Sequence, residues 1–147
     1  MKIGVPKEIK SQENRIGLTP ESVKILTSNG NEVMVENNGG FEAGFYNEQY
    51  KSAGAKIVDK AEDIFNDSEI IVKVKEPQSS EVKMIKENQI VFTYLHLAAA
   101  KELTKGLVDS KSVCIAYETV TDNNGRLPLL APMSAVAGRM SVQAGAH

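Results

Sequence analysis

The chain has 147 residues, 41% of them hydrophobic, enough for about one domain with a real core. Its net charge of −2, from 17 basic and 19 acidic side chains spread along the sequence, and its 5% aromatic content argue against a nucleic-acid partner. No apolar run is long enough to cross a bilayer, and a single cysteine excludes an internal disulfide and a cysteine-rich metal site.

The first residues read as a strand, Lys2–Pro6 (KIGVP), rather than a secretory leader, so the expected setting is a cytoplasmic α/β domain. A polar loop carrying Arg15 runs to about Leu18. Thr19-Pro20 predicts an N-cap followed by proline at the first helical position, with Val23 and Leu26 inward and Asn29-Gly30 as the stop. Glu32–Glu36 alternates as a strand. Asn37-Asn38-Gly39-Gly40, with Gly44, lacks the GxGxxG spacing, so these glycines are assigned to turn geometry rather than phosphate binding.

A short helix at Asn47–Ala53, a strand at Lys56–Val58 and a helix at Ala61–Asn66 follow. Ile70–Pro77 (IIVKVKEP) is an apolar β-rich run that must stop before Pro77 and leaves Lys75 at its carboxyl end. Ser79 or Ser80 is expected to cap a helix with Val82 and Ile85 inward. Gln89–His96 (QIVFTYLH) is a further strand ending in His96, Ala98–Asp109 a helix, and Val113–Tyr117 a strand ending at Glu118. Asn123-Asn124-Gly125 turns the chain, and Pro128 and Pro132 bracket an extended connection. Met133, Val136, Ala137 and Met140 recur at helical spacing to near His147, as if the chain stopped within a helix of a longer protein. Alternating strands and helices predict a doubly wound, mainly parallel sheet with helices on both faces, Rossmann-like or flavodoxin-like.

In such sheets ligands sit beyond the carboxyl ends of the strands. Arg15, Lys75 and His96 would then converge on one edge, where two fixed cations and an imidazole suit a small carboxylate. Each also has a plainer reading. Arg15 is either a solvated loop residue or a bidentate carboxylate clamp. Lys75 either reaches out or pairs with Glu76 or Glu118, or else holds a substrate oxygen. His96 is either a hydrogen-bonded core residue or a group for proton transfer near neutral pH. Cys114 reads as an inert core residue, two histidines make no metal site, and Met133 and Ser134 begin the last helix where they border the site.

Five segments, GVPKEIKSQENRIGLTP, KVKEP, FTYLHLAA, IAYETV and LPLLAPMSAVAGRM, together resemble the N-terminal part of alanine dehydrogenases across essentially the whole chain. The opening segment is also similar to the alpha subunit of nicotinamide nucleotide transhydrogenase, whose pattern lacks the lysine and histidine at positions 75 and 96. The resemblance implies a substrate domain at 1–130 and, at 131–147, the start of a helix toward an NAD-binding domain absent here. It implies Arg15, Lys75 and His96 as substrate residues. The same resemblance implies Lys75 and His96 as the catalytic pair, with His96 as the acid/base, and Met133 and Ser134 near the nicotinamide. The implied partners are L-alanine and pyruvate in a homo-oligomer, hexameric in the family. Ala135 departs from the glutamate common there (MSEVAGRM). The alternatives are a transhydrogenase alpha-subunit fragment or a non-catalytic module that binds a small 2-oxo acid. The isolated segment is expected to be inactive.

Overall fold

A computed structural model describes residues 1–147. Six strands, β1 (Lys2–Val5), β2 (Glu32–Glu36), β3 (Lys56–Val58), β4 (Ile70–Val72), β5 (Ile90–Thr93) and β6 (Val113–Ala116), form one sheet in the order β3-β2-β1-β4-β5-β6. Every pairing is parallel. That is the Rossmann order rather than the flavodoxin one, and its direction reverses between β1 and β4, the switch point where open sheets of this kind bind ligands.

Helices α1 (Pro20–Ser28), α2 (Asn47–Ser52), α3 (Ala61–Asp67), α4 (Ser79–Val82), α5 (Lys101–Ser110) and α6 (Ala131–Ala146) complete the chain. The cap foreseen at Thr19 is present, its hydroxyl accepting the Ser22 N–H at 3.3 Å. Strand residues alternate between two cores. Ile3, Val5, Val33, Val35 and Val72 pack with Val23 of α1 and Tyr50 of α2. Ile71, Val91 and Met34 pack on the opposite face with Ile64 and Phe65 of α3 and Leu107 of α5. Over β6 the first of these faces is open, and Val113 and Ile115 stay 48% and 41% exposed.

Three local expectations change. The strand expected to reach Lys75 leaves the ladder at Val72, because β1 on one side has already ended at Val5. Only the β5 side continues, with Lys73 N–H donating to Phe92 O at 3.1 Å and Tyr94 N–H to Val74 O at 3.2 Å. The helix expected from Ala98 begins at Lys101, because His96 is left-handed (φ 50°) and Ala100 is non-helical (φ −129°, ψ 68°), so Leu97–Ala99 form only a 3-10 turn. The helix expected to be capped by Ser79 or Ser80 instead includes both, and Glu81 Oε2 closes its first turn by accepting the Gln78 N–H at 2.7 Å.

Candidate functional site

The loops after β1, β4, β5 and β6 all leave the carboxyl edge of the sheet, because all the strands are parallel. Arg15 lies in the first, Lys75 in the second and His96 in the third. A cavity of about 550 Å³ opens there, within the usual span for ligand sites of roughly 300–1,000 Å³. Its walls include Arg15, Phe45, Phe92, Tyr94, Tyr117 and Leu129. Gly17 lets the first loop approach β4, since a β-carbon there would lie 2.6 Å from Val72 O.

Arg15 is the one expected substrate residue inside this cavity. Its guanidinium is already paired on one edge, with Nε donating to Glu13 Oε1 at 2.8 Å and Nη2 to Glu13 Oε2 at 2.6 Å. The hydrogen bond from Arg15 holds the Glu13 carboxyl below the usual carboxylate range, and the charge of Lys75 contributes to the same shift. The Nη1 atom is left for other partners and meets Met133 Sδ at 3.6 Å. Arg15 and Met133 are therefore together, at the start of α6. Ser134 is not turned to the cavity; its hydroxyl donates to Leu130 O at 3.4 Å within its own helix.

Lys75 is half-buried and does not line the cavity, and its ammonium has no ion-pair partner in the chain. The two acids considered as its partners are engaged elsewhere. Glu76 is ion-paired with Lys10, and Glu118 binds backbone amides. The lysine that does lie in the core is Lys73, two residues earlier, without exposure and ion-paired with Glu8 and Glu81.

His96 is exposed beside the cavity and lines a neighbouring depression with Glu118. Its ring stacks on Tyr94 with centroids 6.2 Å apart and an 18° angle between planes. Glu118 Oε1 accepts the N–H groups of His96 at 2.8 Å and Leu95 at 3.0 Å, which holds His96 in its left-handed conformation. For a residue with a β-carbon that conformation costs roughly 1 kcal/mol or more.

Sequence reasoning did not single out Tyr94, Tyr117 or Glu13. Tyr94 lies just past the end of β5, two residues before His96. Its hydroxyl donates to Leu129 O and ties the last loop to β5. Tyr117 stands edge-on to Phe92 at 4.3 Å and to Tyr94 at 4.9 Å. Burial, then the influence of Tyr94 and Glu8, pushes its phenol well above the ordinary tyrosine value, so Tyr117 stays neutral.

No group of three or more His, Cys, Asp or Glu side chains is arranged to hold a metal. A β-carbon on Gly40 would lie 2.8 Å from the Tyr50 hydroxyl, so that glycine serves close packing.

The family model described as alanine dehydrogenase/PNT, N-terminal domain, matches residues 4–137. An alanine dehydrogenase of Halomonas elongata is 54% identical over all 147 residues, which make up 40% of its length. One of Staphylococcus epidermidis is 56% identical over the same residues, 39% of its length. A solved L-alanine dehydrogenase superposes with TM-score 0.94 at 52% identity, over 99% of this chain and 40% of the other. A transhydrogenase from Sinorhizobium meliloti shares the fold, with TM-score 0.78 at 24% identity over 84% of this chain and 35% of the other. The chain thus spans about 40% of the length of the curated relatives it matches. By that match over nearly all its residues, the chain belongs to the alanine dehydrogenase/PNT N-terminal domain family.

Proposed function

We propose that this chain is the N-terminal, substrate-binding part of an NAD-dependent alanine dehydrogenase, which converts L-alanine, NAD and water to pyruvate, ammonia and NADH, reversibly. The observation that carries this reading is that Arg15, Lys75 and His96 leave the carboxyl ends of three adjacent strands, β1, β4 and β5, on either side of the switch point. The identity of 54% and 56% to alanine dehydrogenases, against 24% to the transhydrogenase, favours this over the transhydrogenase alternative.

Residues 1–130 are the substrate domain in this reading, and 131–147 begin the helix that leads to a nucleotide-binding domain. The cofactor is held mainly by that second domain, and on this chain the fit is limited to Met133, with Ser134 beside it. Met133 meets Arg15, which lines the cavity. When bound, the nicotinamide supplies the hydride acceptor for alanine oxidation.

This chain's own residues bind and move protons. The Nη1 edge of Arg15, which otherwise meets Met133 Sδ, takes the substrate carboxylate, and Glu13 fixes the opposite edge. Lys75, a cation without an internal partner, holds the oxygen on the substrate's second carbon. His96 takes a proton from the water that adds to the iminium carbon, and returns one to the departing amine of the carbinolamine. Stacking on Tyr94 fixes its ring for both transfers.

No helix is long and apolar enough to cross a membrane. We infer a cytoplasmic setting, in keeping with one unpaired cysteine, Cys114. We also infer a homo-oligomer, a hexamer by the family resemblance. The apolar side chains exposed along α6, Val136, Met140 and Val142, support burial against a further part of a larger assembly.

The test is turnover of alanine with NAD by the full-length protein. Lys75→Ala and His96→Ala should each abolish most activity while leaving the far-UV dichroism unchanged. Wild-type-like rates in both would refute the site.

A further inference from the structure

Three titratable side chains lie buried under the site and have no part in the chemistry above: Lys73 with no exposure, Glu81 with 2% and Glu8 with 6%. Lys73 Nζ donates to Glu81 Oε1 at 2.7 Å and to Glu8 Oε2 at 3.2 Å. Desolvating such a triad is costly, and apolar side chains of the same volume often hold a core at least as well. Its use must then lie in what the remaining carboxylate oxygens do.

Glu81 Oε2 closes the first turn of α4. Glu8 Oε1 accepts the Val74 N–H at 2.6 Å and lies 3.4 Å from the Lys75 nitrogen. The Val74 N–H faces the side where β1 has ended, so no strand carbonyl is there to accept it. Glu8, three residues beyond the end of β1, supplies that acceptor instead. On the other side of the same peptide segment, the Thr93 hydroxyl donates to Lys75 O at 2.8 Å. The residue carrying the free cation is thus tied at both its amide and its carbonyl by buried side chains.

We propose that Glu8 is a positioning residue, whose carboxylate, anchored by Lys73, fixes the backbone of Lys75 and so sets where its ammonium meets the substrate oxygen. The proposal rests on the reading of Lys75 as a substrate cation. Glu8 touches neither substrate nor cofactor; it acts through Lys75.

The experiment is a double-mutant cycle in the full-length enzyme with Glu8→Gln and Lys75→Ala, joined to hydrogen exchange at Val74 and Lys75. Glu8→Gln should raise KM for pyruvate at least tenfold with a smaller change in kcat, and should speed exchange at both amides at least tenfold. In the Lys75→Ala background it should cost no further kcat/KM. Losses that multiply across the cycle, or amides that stay protected, would overturn the proposal. Full activity in Lys75→Ala would refute the site reading instead, and the exchange data alone would then decide whether Glu8 clamps the backbone. If Glu8→Gln does not fold, Glu8→Asp keeps the charge beside Lys73 and draws the acceptor back by one methylene from the Val74 and Lys75 N–H groups; the same cycle and the same outcomes then apply.

Discussion

Replacing Lys73 with methionine tests the buried triad as a source of stability. Methionine fills most of the same volume but removes the ammonium that separates Glu8 from Glu81. Both carboxylates keep their backbone donors, Val74 N–H for Glu8 and Gln78 N–H for Glu81. The folded variant then has two buried anions and no counter-charge, and one must take up a proton. Burial already raises the Glu8 carboxyl above the ordinary range, with Lys73 only partly offsetting it. Holding one carboxyl protonated at pH 7, against an unfolded value of about 4.3, costs about 1.4 kcal/mol per pH unit, or roughly 3.7 kcal/mol. At pH 5 the same reasoning leaves only about 1 kcal/mol. A loss of that size at pH 7 should lower the melting temperature by roughly 7–15 °C for a domain of this length. The sign is set by proton uptake, since the folded state binds the extra proton and the variant's deficit therefore grows as pH rises from 5 to 7. Urea unfolding of wild type and variant at both pH values reads it directly. A deficit that is the same at pH 5 and pH 7, or below about 1 kcal/mol at pH 7, would refute the view that Lys73 neutralises buried anions.

Two further outcomes follow from the ties around the site. Glu118→Ala removes the acceptor for the His96 and Leu95 N–H groups, so the left-handed turn should loosen: stability should fall by about 1–3 kcal/mol, and full-length turnover should drop toward that of His96→Ala. Unchanged urea unfolding together with unchanged turnover would count against that role. Glu13 has a lowered folded-state pKa, chiefly through its hydrogen bond from Arg15, so it adds stability above the unfolded carboxylate value and loses it as pH falls through the folded one. Glu13→Gln should flatten the acid side of the stability profile below about pH 4.3, measured by urea unfolding in steps from pH 3 to 5; a slope equal to wild type would exclude this contribution.

The sheet was legible because each strand carries a short β-branched run and each connection its own stop signal. Glu32–Glu36 and Lys56–Val58 even fall at the expected bounds, since Gly30 and Gly54, at φ 79° and 91°, mark turns that leave little choice of register. The sequence was less informative where the chain leaves the sheet. In KVKEP the period of two places Lys73 and Lys75 on the same side, and nothing in the spacing says which is buried. The difference is made by Glu8 and Glu81, eight and more positions away, which reach Lys73 and leave Lys75 without a partner. A long-range ion network has no local signature, whereas a strand has one in every second residue. Pairing also explains why Arg15 looks ordinary in its polar loop. Its partner, Glu13, is two residues away, a spacing with no meaning in a helix and visible only once the loop folds back over the strand ends. Residues that bind a ligand need charges kept available, and availability depends on what other charges have already been taken. In this chain that distinction separates Lys75, half-buried and unpaired, from Lys73, buried and doubly paired.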